Sequence, residues 1–288
     1  MQKAGATAIP APPPRVRDRW GLPRFYSDLV GRRVFAFLLA LHGVGAFALI
    51  TVGVLLRNFR VAQPVMRPLI AREIHRAGVQ LLPMFFFAAA ALGFLVIGQT
   101  VAWLSRVEAA NNLLGNIMVI VVVREFGPLL TALLVLARVG TANVVELGTA
   151  RALGEVEALE ALGIDPVHYL VVPRVVGMAV GVFALTVYLI LGTLVSGYLW
   201  AFIQAVPLLP GDYFRQLAGA LSYLDFALLA LKTCAFGFII AIVTCYHGLG
   251  QPLQLNEISR ATVRAVGQST VACILLDALF ISLYLAVT

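Results

Sequence analysis

The stretch Val119-Ile-Val-Val-Val-Arg124-Glu125-Phe-Gly127-Pro128-Leu-Leu-Thr-Ala-Leu-Leu-Val135 decides how this chain folds, because it sets two charges inside an apolar run. Apolar runs of roughly 20 residues cross a bilayer as helices. Charges within such a run are rare and usually face a cavity or a partner. Pro128 also removes one backbone hydrogen bond. The stretch therefore predicts a membrane helix that lines a cavity and has a hinge at Gly127 and Pro128.

The composition predicts an all-α integral membrane protein. Of the 288 residues, 61% are hydrophobic and only 12% are charged, whereas soluble domains carry about 25% charged residues. Apolar runs long enough to span lie near 78–104, 113–137, 173–203, 224–246 and 265–287. The net charge of +7 does not indicate nucleic-acid binding, because the basic residues lie beside the spans.

The distribution of Lys and Arg decides how a sixth apolar run, 34–56, is interpreted. If this run crosses the membrane, nine basic residues lie on one side and ten on the other. If it lies in the interface, the cytoplasmic side has 17 and the opposite side has two. The positive-inside rule favours the second arrangement. The sequence thus predicts an N-terminal interfacial helix followed by five spans, with a cytoplasmic N-terminus and a periplasmic C-terminus; six true spans are the alternative.

The segments outside the spans give two further predictions. Residues 1–33 combine Ala and Pro with seven basic residues, which predicts a disordered cytoplasmic tail. The segment 138–172 between the second and third spans favours helix, and Gly148, Gly154 and Gly163 are expected to break it into short pieces. It is either a solvated loop or a docking surface for a partner. The charged residues expected to form that surface are Glu146, Arg151, Glu155, Glu157, Glu160 and Asp165.

No catalytic constellation is visible in the sequence. There is no phosphate-binding G-x-x-x-x-G-K-[ST] loop, and the four histidines are scattered without metal-ligand spacing. The three cysteines all fall within predicted spans, where they are interpreted as small core residues. We therefore expect neither enzymatic activity nor a bound cofactor or metal in this chain.

The polar residues within the spans are the candidate functional site. They are Arg124, Glu125, Lys232 and Asp277, with Gln99 near the outer end of the first span. Arg124 and Glu125 are adjacent, so on a helix they diverge by about 100° and each needs a partner elsewhere. Arg124 with Asp277 and Glu125 with Lys232 are the candidate pairs. Structural pairing, the lining of a substrate cavity and a proton relay all remain open as roles.

Several motifs resemble those of a known family. They are Arg124-Glu-Phe-Gly-Pro-Leu-Leu, Ala137-Arg-Val-Gly-Thr-Ala, Glu146-Leu-Gly, Glu157-Ala-Leu-Glu-Ala-Leu-Gly-Ile-Asp165-Pro, Pro173-Arg174 and Ile258-Ser-Arg-Ala-Thr-Val-Arg264-Ala-Val. Together they resemble the MlaE/YrbE permeases, the membrane subunits of MCE-type ABC lipid transporters. The resemblance covers about residues 57–287. Lys232 and Asp277 also lie where that family tends to have a lysine and an acid, whereas the family often has Leu in place of Phe126.

The resemblance implies an assembly and a substrate. It implies a homodimer in the bacterial inner membrane, with residues 143–165 as a coupling helix resting on a cytoplasmic ABC ATPase that binds ATP and magnesium. It further implies a periplasmic MCE-domain protein and, in some systems, a small STAS-domain protein. The implied substrate is a phospholipid held between the two subunits.

A lipid has a charged head and apolar tails, and the candidate site offers groups for both. Arg124, Glu125 and Gln99 are the candidate polar contacts, and Ile97, Leu104 and Phe126 are the candidate apolar wall. Two other functions stay open from the residues alone. One is an ion- or proton-coupled secondary transporter of a hydrophobic solute, and the other is a structural scaffold of the membrane.

Overall fold

Helices make up the regular structure of the described part of this computed structural model, which comprises residues 42–57, 63–99, 119–203, 210–250 and 254–287. Five helical segments there are long and apolar enough to cross a membrane, which confirms the predicted all-α membrane fold. In chain order they are Val65–Val96, Val121–Ala152, Val167–Trp200, Tyr223–Leu249 and Ile258–Tyr284. They are called the first to fifth spans below.

The spans are built from α-helices joined by short turns of other helical types. The α-helices are α1 (His42–Arg57), α2 (Gln63–Ala77), α3 (Leu82–Leu92), α4 (Gly127–Val135), α5 (Thr141–Ala152), α6 (Glu155–Ala161), α7 (Val172–Ile203), α8 (Pro210–Ala220), α9 (Tyr223–Leu249) and α10 (Ile258–Val287). A 3₁₀ turn, Val79–Leu81, joins α2 to α3. Wider π-helical segments occur at Gly93–Ile97, Val119–Phe126, Leu136–Gly140 and Val167–Val171.

The shorter apolar helix α1 overlaps the predicted interfacial helix. At His42–Arg57 it is shorter than the roughly 20 residues that a span needs. Its Phe47 ring lies 5.9 Å from the ring of Tyr246, near the end of α9. The predicted tail 1–33, and the predicted start of this helix at 34–41, lie outside the described residues.

Helix α2 begins earlier than the sequence predicted for the first span. The span was expected to start near residue 78, but helix is present from Gln63. The reason is a close packing of α2 against α7. A Cβ atom added at Gly177 would come within 2.6 Å of the Glu73 Cβ, and one added at Gly181 within 3.0 Å of the Ala77 Cβ. The two glycines therefore let the helices approach closely, as small residues do in membrane helices.

The segment between the second and third spans differs in part from the prediction. The expected break at Gly148 is wrong, because α5 runs through this buried glycine to Ala152. Leu147 packs beside it against Gly248 of α9, where an added Cβ would lie 2.7 Å from the Leu147 Cβ. The expected breaks at Gly154 and Gly163 are present, and both glycines adopt positive φ angles of 78° and 75°, which favour glycine.

Helix α7 lies at the centre of the packing. Its residues Met178, Leu185 and Leu189 belong to one buried apolar cluster with Phe236 and Ile240 of α9. An added Cβ at Gly237 would lie only 2.6 Å from the carbonyl oxygen of Met178, so α9 also packs tightly on α7. This packing fixes α9, which carries Lys232, beside the second span.

Candidate functional site

Lys232 is the centre of a charged cluster contributed by three spans. Its Nζ atom lies 2.6 Å from Oδ1 of Asp277 on α10 and 3.3 Å from Oε2 of Glu125 on the second span. It also donates a hydrogen bond of 2.9 Å to the backbone carbonyl of Arg124. The Lys232 side chain is only 6% exposed. One buried cation thus contacts two carboxylates, and such pairing is how charged groups are accommodated within membrane helices.

Arg124 forms a second ion pair next to this cluster. Its Nε and Nη2 atoms lie 2.9 Å and 3.2 Å from the two carboxylate oxygens of Asp225 on α9. Its guanidinium carbon lies 4.4 Å above the centre of the Tyr284 ring, within cation–π range. Arg124 is therefore held between an anion and an aromatic face, and its side chain stays 22% exposed.

Local sequence explains why Asp225 faces Arg124. Ser222 and Asp225 form a capping box at the start of α9: the Ser222 side chain accepts a backbone hydrogen bond from Leu224, and Asp225 accepts one of 2.9 Å from the Ser222 N–H. This reciprocal pairing satisfies backbone donors that a helix start leaves free. The same carboxylate therefore caps α9 and binds the arginine.

The backbone of the second span changes type at the charged pair. The π-helical segment Val119–Phe126 contains both charges, and α4 begins immediately after it at Gly127 with Pro128 in its first turn. Pro128 has no amide hydrogen, so it cannot donate a hydrogen bond to a carbonyl of the π-helical segment before it. π-Helical turns inside α-helices often mark functional sites. The hinge predicted at Gly127 and Pro128 thus coincides with a change of helix type.

A largely apolar cavity lies beside these charges. It encloses about 250 Å³. The charged residues on its wall are Arg124, Glu125, Asp225 and Lys232. The apolar and aromatic wall residues are Val123, Leu228, Leu229, Phe280, Ile281 and Tyr284. A few polar groups in an apolar wall are typical of small-molecule binding sites.

The structure agrees with one candidate ion pair and corrects the other. Glu125 contacts Lys232 as predicted. The predicted pair of Arg124 with Asp277 is wrong. Arg124 forms its ion pair with Asp225, and Asp277 forms its ion pair with Lys232.

Of the remaining candidate binding residues, Phe126 and Gln99 have described side chains, and neither is among the residues that line this cavity. Phe126 is 54% exposed and Gln99 is also exposed. Ile97 ends the π-helical turn Gly93–Ile97, and Leu104 lies outside the described residues. Their role in lipid binding stays a prediction.

Four of the six residues predicted for ATPase coupling lie between the second and third spans. Glu155, Glu157 and Glu160 on α6, and the following Asp165, are exposed. Two of the predicted residues are held within the chain instead. Arg151 donates a hydrogen bond to the Leu249 carbonyl at the end of α9, and Glu146 pairs with Arg76 of α2 and Arg174 of α7.

Sequence reasoning missed Asp225 and Tyr284 as members of the site. The capping-box pattern Ser222-x-x-Asp225 was a usable signal, since it marks a helix start and leaves a carboxylate at the edge of the span. No comparable signal identifies Tyr284, because an aromatic residue near the end of a span is ordinary in membrane proteins.

Comparison with known proteins assigns the family. The family model described as "Permease MlaE" matches residues 70–283. A probable ABC transporter permease protein of Rickettsia prowazekii is 27% identical over 264 residues, covering 91% of this chain and 98% of that protein. A probable ABC transporter permease protein of Synechocystis is 33% identical over 168 residues, covering 57% and 62%. The chloroplastic protein TRIGALACTOSYLDIACYLGLYCEROL 1 of Arabidopsis thaliana is 26% identical over 207 residues, covering 72% and 58%.

The family match includes the second span with its charged pair, the helices that carry Lys232 and Asp277, and the segment 143–165 that was predicted to contact an ATPase. The resemblance stated from the motifs is thereby confirmed, and the chain is a multi-pass membrane protein that belongs to the MlaE permease family.

Proposed function

We propose that this chain is the membrane subunit of an ABC transporter that moves phospholipids between the bacterial inner membrane and a periplasmic MCE-domain protein. One observation carries the proposal: a buried cluster of charges borders an apolar cavity formed by the second, fourth and fifth spans. A phospholipid combines a charged head with apolar tails, so it matches both parts of this wall.

The charges in the wall suit a head group that carries a phosphate. The Arg124 side chain is 22% exposed, and arginine binds phosphate through paired hydrogen bonds. Val123, Leu228 and Phe280 provide the apolar surface next to it. The head would contact Arg124 while an acyl chain lies along the apolar wall.

The cavity of one chain favours a homodimer. Ligand sites for drug-sized molecules usually enclose about 300–1,000 Å³, whereas this cavity encloses about 250 Å³. One chain therefore surrounds only part of a lipid. A second copy facing the first would complete the enclosure, and the exposed apolar side chains of the spans provide surface for that contact.

Under this proposal, a partner subunit hydrolyses the ATP that drives transport. The sequence contains no phosphate-binding loop, and the exposed acidic residues of α6 form a surface suited to a basic groove on a cytoplasmic ATPase. ATP-driven movement of that surface would be passed to the second span, whose helix type changes at Gly127. Bending there would narrow the cavity and release the lipid.

A proton-coupled secondary transporter is the second candidate. Two carboxylates, Glu125 and Asp277, flank the side chain of Lys232. Such a group can exchange a proton when a substrate alters its contacts. In that case transport would depend on a pH gradient and not on an ATPase.

The discriminating experiment is purification of the tagged chain from its native membrane in mild detergent, followed by mass spectrometry of bound proteins and lipids. We expect an ABC ATPase and an MCE-domain protein in fixed ratio, together with phospholipid; a STAS-domain protein would appear in a system that has one. A lone dimer without an ATPase would contradict the proposal and favour the secondary transporter.

A further inference from the structure

A second group of charges, separate from the cavity, joins three helices near the coupling segment. Glu146 on α5 binds Arg76 of α2 with both carboxylate oxygens, each 2.6 Å from a guanidinium nitrogen. The same carboxylate accepts a hydrogen bond of 3.0 Å from Nη2 of Arg174 on α7. Glu146 thus links α5 to the first and third spans at once.

Arg174 has another carboxylate beside it that it does not fully use. Oε1 of Glu73 lies 3.7 Å from Nε of Arg174, which is too long for a hydrogen bond. Glu73 Oε2 and the Nε and Nη1 atoms of Arg174 are buried, and none of them has a hydrogen-bond partner in the described part of the chain. Glu73 and Arg174 therefore form an ion pair at 3.7 Å, but these three buried atoms make no hydrogen bond within the described residues.

Leaving such groups unjoined is costly. A buried polar atom without a partner costs about 1–3 kcal/mol, and more if it is charged. Both side chains are mostly buried, with 10% of Arg174 and 15% of Glu73 exposed. One setting in which buried polar atoms lack hydrogen bonds is an element that changes between two arrangements.

The two acceptors differ in how firmly they are fixed relative to Arg174. Glu73 lies where α2 and α7 touch backbone to backbone at Gly177, one turn beyond Arg174 on α7. Glu146 lies on α5 and its side chain is 47% exposed, whereas the Glu73 side chain is only 15% exposed. Movement of the coupling segment would therefore carry Glu146 away from Arg174 while Glu73 stays beside it.

We propose that Arg174 is a switch residue with two alternative partners. In the described state Arg174 binds Glu146 and so fixes α5 against the first and third spans. When α5 moves, Arg174 turns to Glu73 and makes paired hydrogen bonds with it. These bonds satisfy the Glu73 and Arg174 atoms that have no hydrogen-bond partner in the described state. Glu73 is thus a positioning residue for the moved state, and it lowers the free energy needed to reach that state. The consequence for transport rests on the proposed function, since it assumes that an ATPase moves the coupling segment.

The effect of Glu73→Gln on how often α5 opens distinguishes this switch from a network in which Glu73 only balances charge. Glu73→Gln removes the partner of the moved state but only a long contact of the described state. If the switch operates, the described state gains population and the coupling helix opens less often. If Glu73 only supports the present network, its loss loosens that network and the helix opens more often.

The test is hydrogen–deuterium exchange of the peptide covering Thr141–Ala152. It is measured on the full chain in nanodiscs without nucleotide, and the exchange rate reports how often α5 opens. We expect exchange to slow by about threefold or more in Glu73→Gln, as a shifted two-state equilibrium requires. Glu73→Asp, which keeps the charge on a shorter side chain, is expected to slow it less. Glu146→Gln is expected to accelerate it, because the described state loses its link.

The control is Glu257→Gln, an exposed acid outside the network whose carboxylate contacts Gln254, and its exchange should match that of the unmodified chain. Unchanged or faster exchange in Glu73→Gln would overturn the switch. Because this measurement needs neither an ATPase nor lipid transport, its outcome is independent of the proposed function. In the complex with an ATPase, Glu73→Gln should lower lipid transported per ATP; an unmodified complex that moves no lipid would instead contradict the proposed function and leave the exchange result standing.

Discussion

Lys232 illustrates at the residue scale why a charged site can exist among apolar helices. Its ammonium contacts Asp277 and Glu125 and the backbone carbonyl of Arg124. The Asp277 side chain is only 11% exposed, and breaking a buried ion pair by removing one partner costs about 3–5 kcal/mol. The lysine is therefore required for folding as much as for any role in binding.

Replacing Lys232 with Met tests this role. We expect Lys232→Met to lower the free energy of unfolding by about 3–5 kcal/mol, because two carboxylates lose their shared cation. Thermal unfolding of the purified chain in detergent measures the change. The double variant Lys232→Met with Asp277→Asn should recover much of the loss, since the remaining Glu125 side chain is 34% exposed. A Lys232→Met chain as stable as the unmodified one would contradict the account.

The site was only partly predictable from the sequence. Arg124, Glu125, Lys232 and Asp277 were recognisable because charges in apolar runs are rare, and the structure brings all four together. The pairing was less predictable. Two acids compete for each base across different helices, and the change to π-helical geometry at Val119–Phe126 alters the directions of adjacent side chains.

At the scale of helices, the break in the second span is the feature most closely tied to movement. The π-helical segment that carries Arg124 and Glu125 meets α4 at Gly127, and Pro128 lies in the first turn of α4. Because proline has no amide hydrogen, this joint lacks one backbone hydrogen bond that a continuous helix would have.

Restoring that amide should stiffen the joint. We expect Pro128→Ala to reduce the transport rate by several-fold while leaving the amount of assembled complex unchanged, because α4 can continue upstream without the gap. Transport by the reconstituted complex and its yield after size-exclusion chromatography give the two quantities. Equal transport by Pro128→Ala and the unmodified chain would argue against a hinge.

The contact between α2 and α7 gives a packing prediction. A side chain at Gly181 would collide with Ala77, whose Cβ lies 3.0 Å from the added Cβ position. We expect Gly181→Leu to lower the free energy of unfolding by about 1–3 kcal/mol, the usual cost of overpacking, as measured by thermal unfolding. The matched control is Gly267→Ala in α10, where an added Cβ meets nothing within 4 Å; this variant should change stability by less than about 1 kcal/mol. Equal effects of both variants would contradict the proposed close contact.

At the scale of the whole molecule, hydropathy and charge predicted the number of spans, but not where their helices end. Five spans follow from long apolar runs, and the structure has five such helices. Helix α2 extends the first of them through a charged segment because it packs on α7 at Gly177, and α5 extends the second because Leu147 packs on α9. Such contacts between distant segments are invisible to a pattern read along the chain.

The predicted orientation is testable independently of transport. An interfacial N-terminal helix with five spans places the N-terminus in the cytoplasm and the C-terminus in the periplasm, because this arrangement concentrates basic residues in the cytoplasm. Fusion of alkaline phosphatase to Thr288 should therefore give high enzyme activity, and fusion of a cytoplasmic reporter should give little signal. The opposite pattern would support six spans.

ATP-dependent phospholipid movement by the purified complex of this chain with its ATPase is the measurement that tests the central claim most directly. Proteoliposomes containing a fluorescent phospholipid would be mixed with the MCE-domain protein as acceptor. We predict transfer that requires ATP and falls strongly in Arg124→Ala, whose folding is checked by thermal unfolding. ATP hydrolysis without lipid transfer, or transfer driven by a pH gradient in the absence of ATP, would contradict the account.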